Sequence, residues 1–569
     1  MESDSLLGPK DGERVAPVSG AGLWSRWQSF SSVCLYVSIV GTTYAYGVYS
    51  ELLRSNLGFS QHGLDVVASV GNTGLYLSLL AGLALERFGL QVVIRGGGFL
   101  IFIGFLYIWA AVEGLVPANI ASICVFFFLS QFGVCCHVSS SVTFAVRLFP
   151  PESRGIGVGL AKGYFGLSSA VLGDFAGGYF SSAPSSFLLF IALFIPLVGS
   201  VSSYFANLLP DSAVPFKIGE TKSMLPYVIH WMVLFLVILS IGLLQFLTDL
   251  PGYADTISST ILMITLFSMV AIPGIYGPRF ENTRNLHETS ILRDTGTPRS
   301  IDKDDESDEE EQEFDLRAPQ TQTKEQHSHS PLFLRDNLGA VHENSKSSDK
   351  EAELPQYSLG EVVFMWRFWA MYLIFLTMTG VGLMVIYNIN AIASSVGKNP
   401  STFFVTLVAL ANGMGRVLAG FISDRASKFV SKLELFSIVI LCMAITQALH
   451  SIGSPTLLYP CLLSVGFLFG CTVSLMAINI ADIFGGLHIA TIFGLIDSAA
   501  ISGTVVFAAG IVYLFYKESD GDDDYASNEC FNTNCFRVPF IINASCCLIM
   551  FGLCLFVNSR VTPTKSSGH

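Results

Sequence analysis

The sequence predicts an all-α polytopic membrane protein built in two related halves. Three observations carry that class. Hydrophobic residues fill 51% of the 569 positions, charged residues only 13%, and mean hydropathy is +0.56. A soluble chain carries roughly twice that charge fraction. About fourteen apolar runs approach the roughly 20 residues a helix needs to cross hydrocarbon while satisfying its own backbone. A glycine, three residues, an acid and an arginine recur in two short charged gaps, Gly82 to Glu86-Arg87 and Gly420 to Asp424-Arg425, about 340 residues apart.

The runs fall in three groups. Six lie near residues 30–49, 64–85, 92–112, 120–146, 156–180 and 187–208. Two follow near 227–247 and 257–276. The last six lie near 368–391, 403–421, 435–449, 457–480, 489–515 and 538–557. With an even number of spans both termini share a side. Arg26, Arg87, Arg95, Arg147, Arg154, Lys217, Lys222, Arg279, Arg284, Arg425, Lys428, Lys432 and Arg560 fall there, against Arg54, Lys398 and Lys517 opposite. The positive-inside rule therefore predicts cytosolic termini and a cytosolic central segment.

The formal net charge of -13 comes largely from acids in residues 302–315 and 520–524. The first cluster sits in a stretch of about 282–357 rich in Ser, Glu, Asp, Gln and His. Such a composition cannot bury enough apolar surface to order itself, so a disordered cytosolic loop is expected, with no nucleic-acid partner. Ser307 precedes three acids in a pattern an acidophilic kinase would accept, although most such matches are incidental. The N-terminal residues are polar and contain acids, so no cleavable signal peptide is expected. They include Glu2, Leu6 and Leu7, the spacing of an acidic dileucine signal read by clathrin adaptors on the way to vacuoles or lysosomes.

Ten of the cysteines lie in apolar runs and read as small hydrophobes. Cys530 and Cys535 sit instead in the last non-cytosolic loop, where a disulfide is permitted. A CxxC-type metal site would need a second pair nearby, and the sequence has none there.

The charged gaps read as gates. A carboxylate at the end of one helix can pair with an arginine on a neighbour and hold that face shut, while glycines let the flanking helices approach closely. The gating set is Gly82, Glu86, Arg87 and Gly89 in the first half and Gly415, Arg416, Gly420, Asp424 and Arg425 in the second. This repeated motif resembles the signature of the major facilitator superfamily. The first copy is degenerate, with Glu86 in place of the usual aspartate and Leu90-Gln91 where basic residues are common. Tyr44-Ala45-Tyr46-Gly47-Val48-Tyr49-Ser50 and Leu57-Gly58-Phe59 resemble the nodulin-like branch. The segment Ala68 to Leu77 resembles its fungal vacuolar members, named as homologues of monocarboxylate transporters. Phe149-Pro150, Arg154-Gly155, Lys162-Gly163-Tyr164, Tyr387-Asn388-Ile389-Asn390, Asp482-Ile483-Phe484-Gly485 and the Cys530/Cys535 loop also fit.

The resemblance implies two six-helix bundles around a central cavity, over residues 27–210 and 361–558, with an extra two-helix hairpin at 226–278. Tails cover 1–26 and 559–569, and the acidic loop covers 279–360. It also implies a vacuolar membrane, agreeing with Leu6-Leu7, with the plasma membrane as the alternative.

Ionisable groups inside spans are costly and usually face a cavity or a partner. The candidates for substrate or proton are His137, Lys162, Asp174 and Asp497, with Tyr44, Asn388, Asn390 and Asn412 as neutral hydrogen-bonding groups. Lys162 could attract an anion, or snorkel to water. Asp497 or Asp174 could take a proton, or tie helices together. His137 follows Cys135-Cys136, but the three point different ways on a helix, so no metal is expected there. The leading expectation is a monomeric secondary transporter of a small organic solute in the bilayer, without a cofactor. A metal-ion transporter would want more converging carboxylates, His or Met. A non-transporting receptor would have less need of two gates. No Ser/His/Asp set, phosphate loop or zinc spacing supports an enzyme.

Overall fold

The structure is a computed structural model that describes residues 21–43, 45–59, 61–149, 151, 153–206, 224–247, 252–272, 356–398, 402–427, 429–512 and 534–561. These belong to one compact unit. Residues 279–355 of the expected acidic loop, residues 1–20 and 562–569 of the tails with Glu2, Leu6 and Leu7, and Tyr44 and Cys530 lie outside the described residues, as do the side chains of Asn390 and Cys535; residues 21–26 and 559–561, expected as tail, are helical, and 356–360, expected as disordered loop, are ordered.

Every regular element among the described residues is helical, and each predicted run carries helix. The first run is split into α1 (Ala21–Val37) and α2 (Tyr46–Leu57). The second is split into α3 (Gln61–Leu75) and α4 (Ser78–Phe88), because Leu77 leaves helical geometry at ψ 42°. Then come α5 (Leu90–Val112), α6 (Ile120–Leu148), α7 (Arg154–Tyr179) and α8 (Pro184–Phe205). The extra pair is α9 (Leu225–Leu247) and α10 (Gly252–Phe267). After a short α11 (Leu359–Val362), the second half runs α12 (Trp366–Tyr387), α13 (Ile389–Ser395), α14 (Thr402–Ala426), α15 (Lys432–His450) and α16 (Leu458–Phe484). It ends with α17 (Ile489–Asp497), α18 (Ala499–Gly503), a π-helical stretch (Thr504–Ile511) and α19 (Asn534–Val561). Among the described residues, ten helices are long and apolar enough to cross a bilayer, counting α3–α4 as one and residues 489–508 as one. The apolar stretches of α9 and α10, Leu225–Ile241 and Asp255–Phe267, are shorter.

Local chemistry explains the ends. Asn119 and Ser122 form a reciprocal capping box on α6, and Ser431 with Glu434 does so on α15. Pro184 starts α8, where its missing N–H costs nothing. Ser498, between α17 and α18, keeps helical geometry and turns its hydroxyl back to the Leu495 carbonyl at 2.6 Å.

Two apolar cores result. One gathers α1 to α10, and the other α12 to α19. Each takes a few residues from the opposite half: Leu410, Val417 and Ala490 join the first, and Val142, Ala145, Val146, Val158 and Ala161 join the second. The seam between halves is therefore packed, chiefly by α7 on α14 and by α4 on α17. The extra hairpin docks on α7 through polar groups. His230 bonds Tyr164 at 2.9 Å, Tyr227 bonds Ser31 of α1 at 2.9 Å, and Ser259 donates to the Asp174 carbonyl at 2.8 Å.

Residues 356–362 fold onto the turn between α16 and α17. The Tyr357 N–H donates to the Phe484 carbonyl at 3.0 Å, and Gln356 accepts from the Leu487 N–H at 3.0 Å. The N–H and hydroxyl of Ser358 hold the Glu361 carboxylate below its usual range and start α11.

With little hydrophobic drive between helices in lipid, close backbone approach matters more. Gly97 of α5 faces α6, and a Cβ there would lie 2.8 Å from Cys136 Cβ and 2.9 Å from the Gly133 carbonyl. Gly97→Val should lower the thermal midpoint of the purified protein by the equivalent of about 1–3 kcal/mol. The neighbouring Gly96→Ala meets nothing within 4 Å and should leave the midpoint unchanged or raise it. Equal losses from both would remove the close-packing account of this pair.

Candidate functional site

The two motif acids do equivalent work at one end of the molecule. Asp424 lies in the last turn of α14, and its two carboxylate oxygens accept the N–H groups of Gly155 at 2.9 Å and Ile156 at 2.7 Å. These are the first free donors of α7, so the acid of the second half caps a helix of the first. Charge-assisted bonds and the positive end of the helix dipole both favour this placement. Glu86, in the last turn of α4, reaches the start of α17 in the same sense: it accepts the Thr491 hydroxyl at 2.7 Å and lies 3.4 Å from His488 Nδ1. Each acid thus crosses from its own half to a helix N-terminus of the other.

Glycines make the approach possible. A Cβ on Gly420 would strike the Gly155 carbonyl, and one on Gly82 would strike the Ala490 carbonyl. Gly89 ends α4 at φ 79°, a conformation that favours glycine.

The carboxylate–arginine pairing expected of the gate is made by other residues. Asp482, at the end of α16, pairs with Arg154 at 3.3 Å and with Lys432 at 2.8 Å. Arg147 donates to the Leu487 carbonyl at 2.6 Å. Arg87 and Arg425 are exposed in the last turns of their own helices, where the dipole favours a cation. Gly415 packs on the Phe467 backbone of α16, within its own half rather than across the gate.

Deeper in, between the halves, a small cavity is lined by Leu75, Tyr76, Lys162, Phe165, Thr379, Arg416 and Asp497, among others. Its free space of about 30 Å³ has room for roughly two waters. Arg416 belongs to this cavity, although its sequence position groups it with the gate. It is 2% exposed, and its Nε donates to Asn412 Oδ1 at 2.9 Å. Its Nη1 donates to the Lys162 carbonyl at 3.2 Å, and the guanidinium lies 5.5 Å from the Phe165 ring. The Lys162 ammonium sits 4.6 Å over the Phe493 ring instead of snorkelling, at 3% exposure. Asp497 accepts the Ser78 hydroxyl at 2.6 Å. Two basic side chains and one acidic one therefore share a small, largely buried space.

Other sequence candidates lie elsewhere. Asp174 contacts Ser259 of the extra hairpin, at 3.2 Å from its carboxylate. His137 bonds the Gly133 carbonyl at 2.9 Å and stands edge-on to Tyr36 inside the first half. Asn388 caps the end of α12 by donating to the Met384 carbonyl at 2.9 Å. Among the described residues no three His, Cys, Asp or Glu converge as a metal site. Ser78, Phe493 and Thr379 escaped sequence reasoning because a neutral group in an apolar run gives no sign of the way it faces. Arg416 did leave a signal: it stands several residues inside a predicted span, one turn after Asn412.

Known proteins give the context. Residues 26–274 match the nodulin-like family model. The protein NUCLEAR FUSION DEFECTIVE 4 of Arabidopsis thaliana is 22% identical over 479 residues, covering 82% of this chain and 76% of that one. Among solved structures, the human organic anion transporter MFSD10 (TETRAN) aligns with a TM-score of 0.52 at 12% identity, covering 93% of this chain and 99% of that one. The major facilitator superfamily proton:xylose symporter XylE, bound to 6-bromo-6-deoxy-D-glucose, aligns with a TM-score of 0.51 at 12% identity, covering 96% and 97%. At such identity the likeness is one of fold.

The gate geometry has a direct test. Asp424→Ala leaves the first turn of α7 without its cap and should widen the distance between spin labels placed at the exposed Phe88 and Phe429. Arg425→Ala should not. An unchanged distance distribution in Asp424→Ala would show that this carboxylate does not hold the end closed.

Proposed function

Because residues 26–274 match the nodulin-like family model and the chain has the major facilitator fold, we propose that it is a secondary transporter that moves a small organic anion by alternating access. The surplus positive charge of Lys162 and Arg416 over Asp497 carries the reading. Buried charge is tolerated only when compensated, and an anionic solute arriving in this cavity supplies the compensation. A monocarboxylate is the smallest ligand that answers it. Its carboxylate can take the fork of the Arg416 guanidinium, which Asn412 orients, and lie near the Lys162 ammonium. A divalent metal ion would meet the same two cations as repulsion, which disfavours that alternative.

Transport needs the two halves to release one another in turn. The Asp424 and Glu86 contacts are the bonds that would break when the charged end opens. The space in the cavity is too small for an organic solute, in keeping with a closed arrangement around the site. Asp497 is the group placed to exchange a proton as access alternates, and its Ser78 bond holds it beside the cations. The lysine and arginine bias supports cytosolic termini and a cytosolic central segment, and Glu2, Leu6 and Leu7 support delivery to the vacuolar membrane through adaptor binding.

Uptake into proteoliposomes, measured across radiolabelled monocarboxylates, dicarboxylates, neutral sugars and iron(II), tests the reading. One class of organic anion should be accumulated. Arg416→Ala should reduce its uptake about 100-fold, within the scale of a lost charge-assisted bidentate contact, and Arg416→Lys should recover only part. Uptake of metal or sugar alone would overturn the proposal. If Asp497 carries the proton, Asp497→Asn should abolish the pH dependence of accumulation and spare exchange of labelled for unlabelled anion; retained pH dependence would make it a structural acid. Replacing Leu6 and Leu7 together by Ala should move a tagged protein from the vacuolar membrane toward the cell surface, and an unmoved protein would show that the signal is not read.

A further inference from the structure

We propose that Trp231, on the extra helix α9, is a positioning residue for the anion site, so that the inserted hairpin is part of the transport machinery. The inference rests on the anion reading above. Trp231 is 1% exposed and is the largest fully buried side chain among the described residues. Its surroundings are specific. A Cβ on Gly163 would lie 3.1 Å from Trp231 Nε1, and one on Gly413 would lie 3.6 Å from Trp231 Cζ2. Gly163 follows Lys162, and Gly413 follows Asn412, the residue that orients Arg416. The indole therefore lies against the backbone one residue from Lys162, which lines the cavity, and one residue from Asn412, which orients Arg416 there.

These glycines also meet each other's helices. A Cβ on Gly166 would sit 2.9 Å from Gly413 Cα, so α7 and α14 are in near backbone contact beside the indole. Trp231 closes the side of that seam, and α9 touches both helices. The distance between Lys162 and Arg416 is set by how α7 lies on α14, and Trp231 limits how far the two can separate. The hairpin's polar contacts, Tyr164 with His230 and His230 with the Thr265 carbonyl at 2.8 Å, hold α9 in register for this role. The indole N–H has no partner in this arrangement, so its contribution here is its bulk.

The test needs no knowledge of the natural solute. Thr379 lines the cavity, and Thr379→Cys is nearly isosteric. The full-length protein carrying Thr379→Cys is exposed to two thiol reagents of similar size, the sulfonate-bearing anionic methanethiosulfonate and its trimethylammonium counterpart. The rate on the unsubstituted protein is subtracted. The anionic reagent should react faster. Adding Trp231→Leu, or Trp231→Ala if it folds, should lower the anion-to-cation rate ratio roughly tenfold, well within the 10²-fold that a misplacement of about 1 Å can cost. Trp231→Phe, which keeps an aromatic ring in the seam, should retain most of the ratio. A ratio of one in Thr379→Cys alone would overturn the anion reading itself. A preserved ratio in Trp231→Leu, with the anionic preference present in Thr379→Cys, would overturn the role of Trp231 alone. A thermal midpoint that falls while the ratio stays would mark the residue as structural only.

Discussion

The bond between the Asp424 carboxylate and the first free N–H groups of α7 is the contact on which much else depends. A helix N-terminus carries donors that its own turns cannot satisfy. In this chain one of those ends is satisfied from the other half, by an acid at the close of α14. Packing alone would let α7 slide along α14, since both faces are small and smooth where Gly155, Gly159 and Gly420 meet. The carboxylate fixes register and depth together. With α7 set, Lys162 comes to lie two turns deeper, its carbonyl accepting from the Arg416 guanidinium, and the cavity takes its composition from that alignment.

Buried basic side chains need support if the halves are to stay packed around them. Aromatic faces do part of the supporting: Phe493 lies under the Lys162 ammonium and Phe165 near the Arg416 guanidinium. Such contacts are worth about 0.5–2 kcal/mol depending on desolvation, and they leave the hydrogen-bonding donors of both cations available. Asn412 is neutral, so it orients Arg416 without cancelling its charge.

Much of this was legible in the sequence, and the limit is informative. Hydropathy located the helical runs because hydrocarbon demands length and apolarity. The repeated glycine–acid spacing located contacts between the halves, because close approach demands glycine and a free helix end is satisfied by an acid. Lys162, Asp497 and Asn412 were found because polar groups in apolar runs are rare enough to notice. Direction was not legible. Asp174 and His137 are as conspicuous in sequence as Asp497, yet one faces the extra hairpin and the other the core of its own half. Arg416 was grouped with the gate by proximity to Gly415 and Gly420, when about two helix turns carry it from Asp424 at the seam's end to the seam's middle. The partners of the gate acids were also hidden, since backbone N–H groups leave no mark in a sequence.

The two seams differ mechanically. Along one, α7 and α14 are unbroken helices of 26 and 25 residues. Along the other, α4 is separated from α3 at Leu77, and α17 from α18 at Ser498. Those two interruptions flank the same bond, Ser78 to Asp497. The short pair α4 and α17, joined at its far end by Glu86 and Thr491, is thus a lever whose pivot coincides with the charged site. A door of this design has a stiff jamb and a jointed leaf. The Ser78–Asp497 bond lies only about two turns from the Glu86–Thr491 contact along α4, so under the transport reading proposed above the site and the entrance would be joined by one short piece of leverage instead of by a shift of the whole molecule.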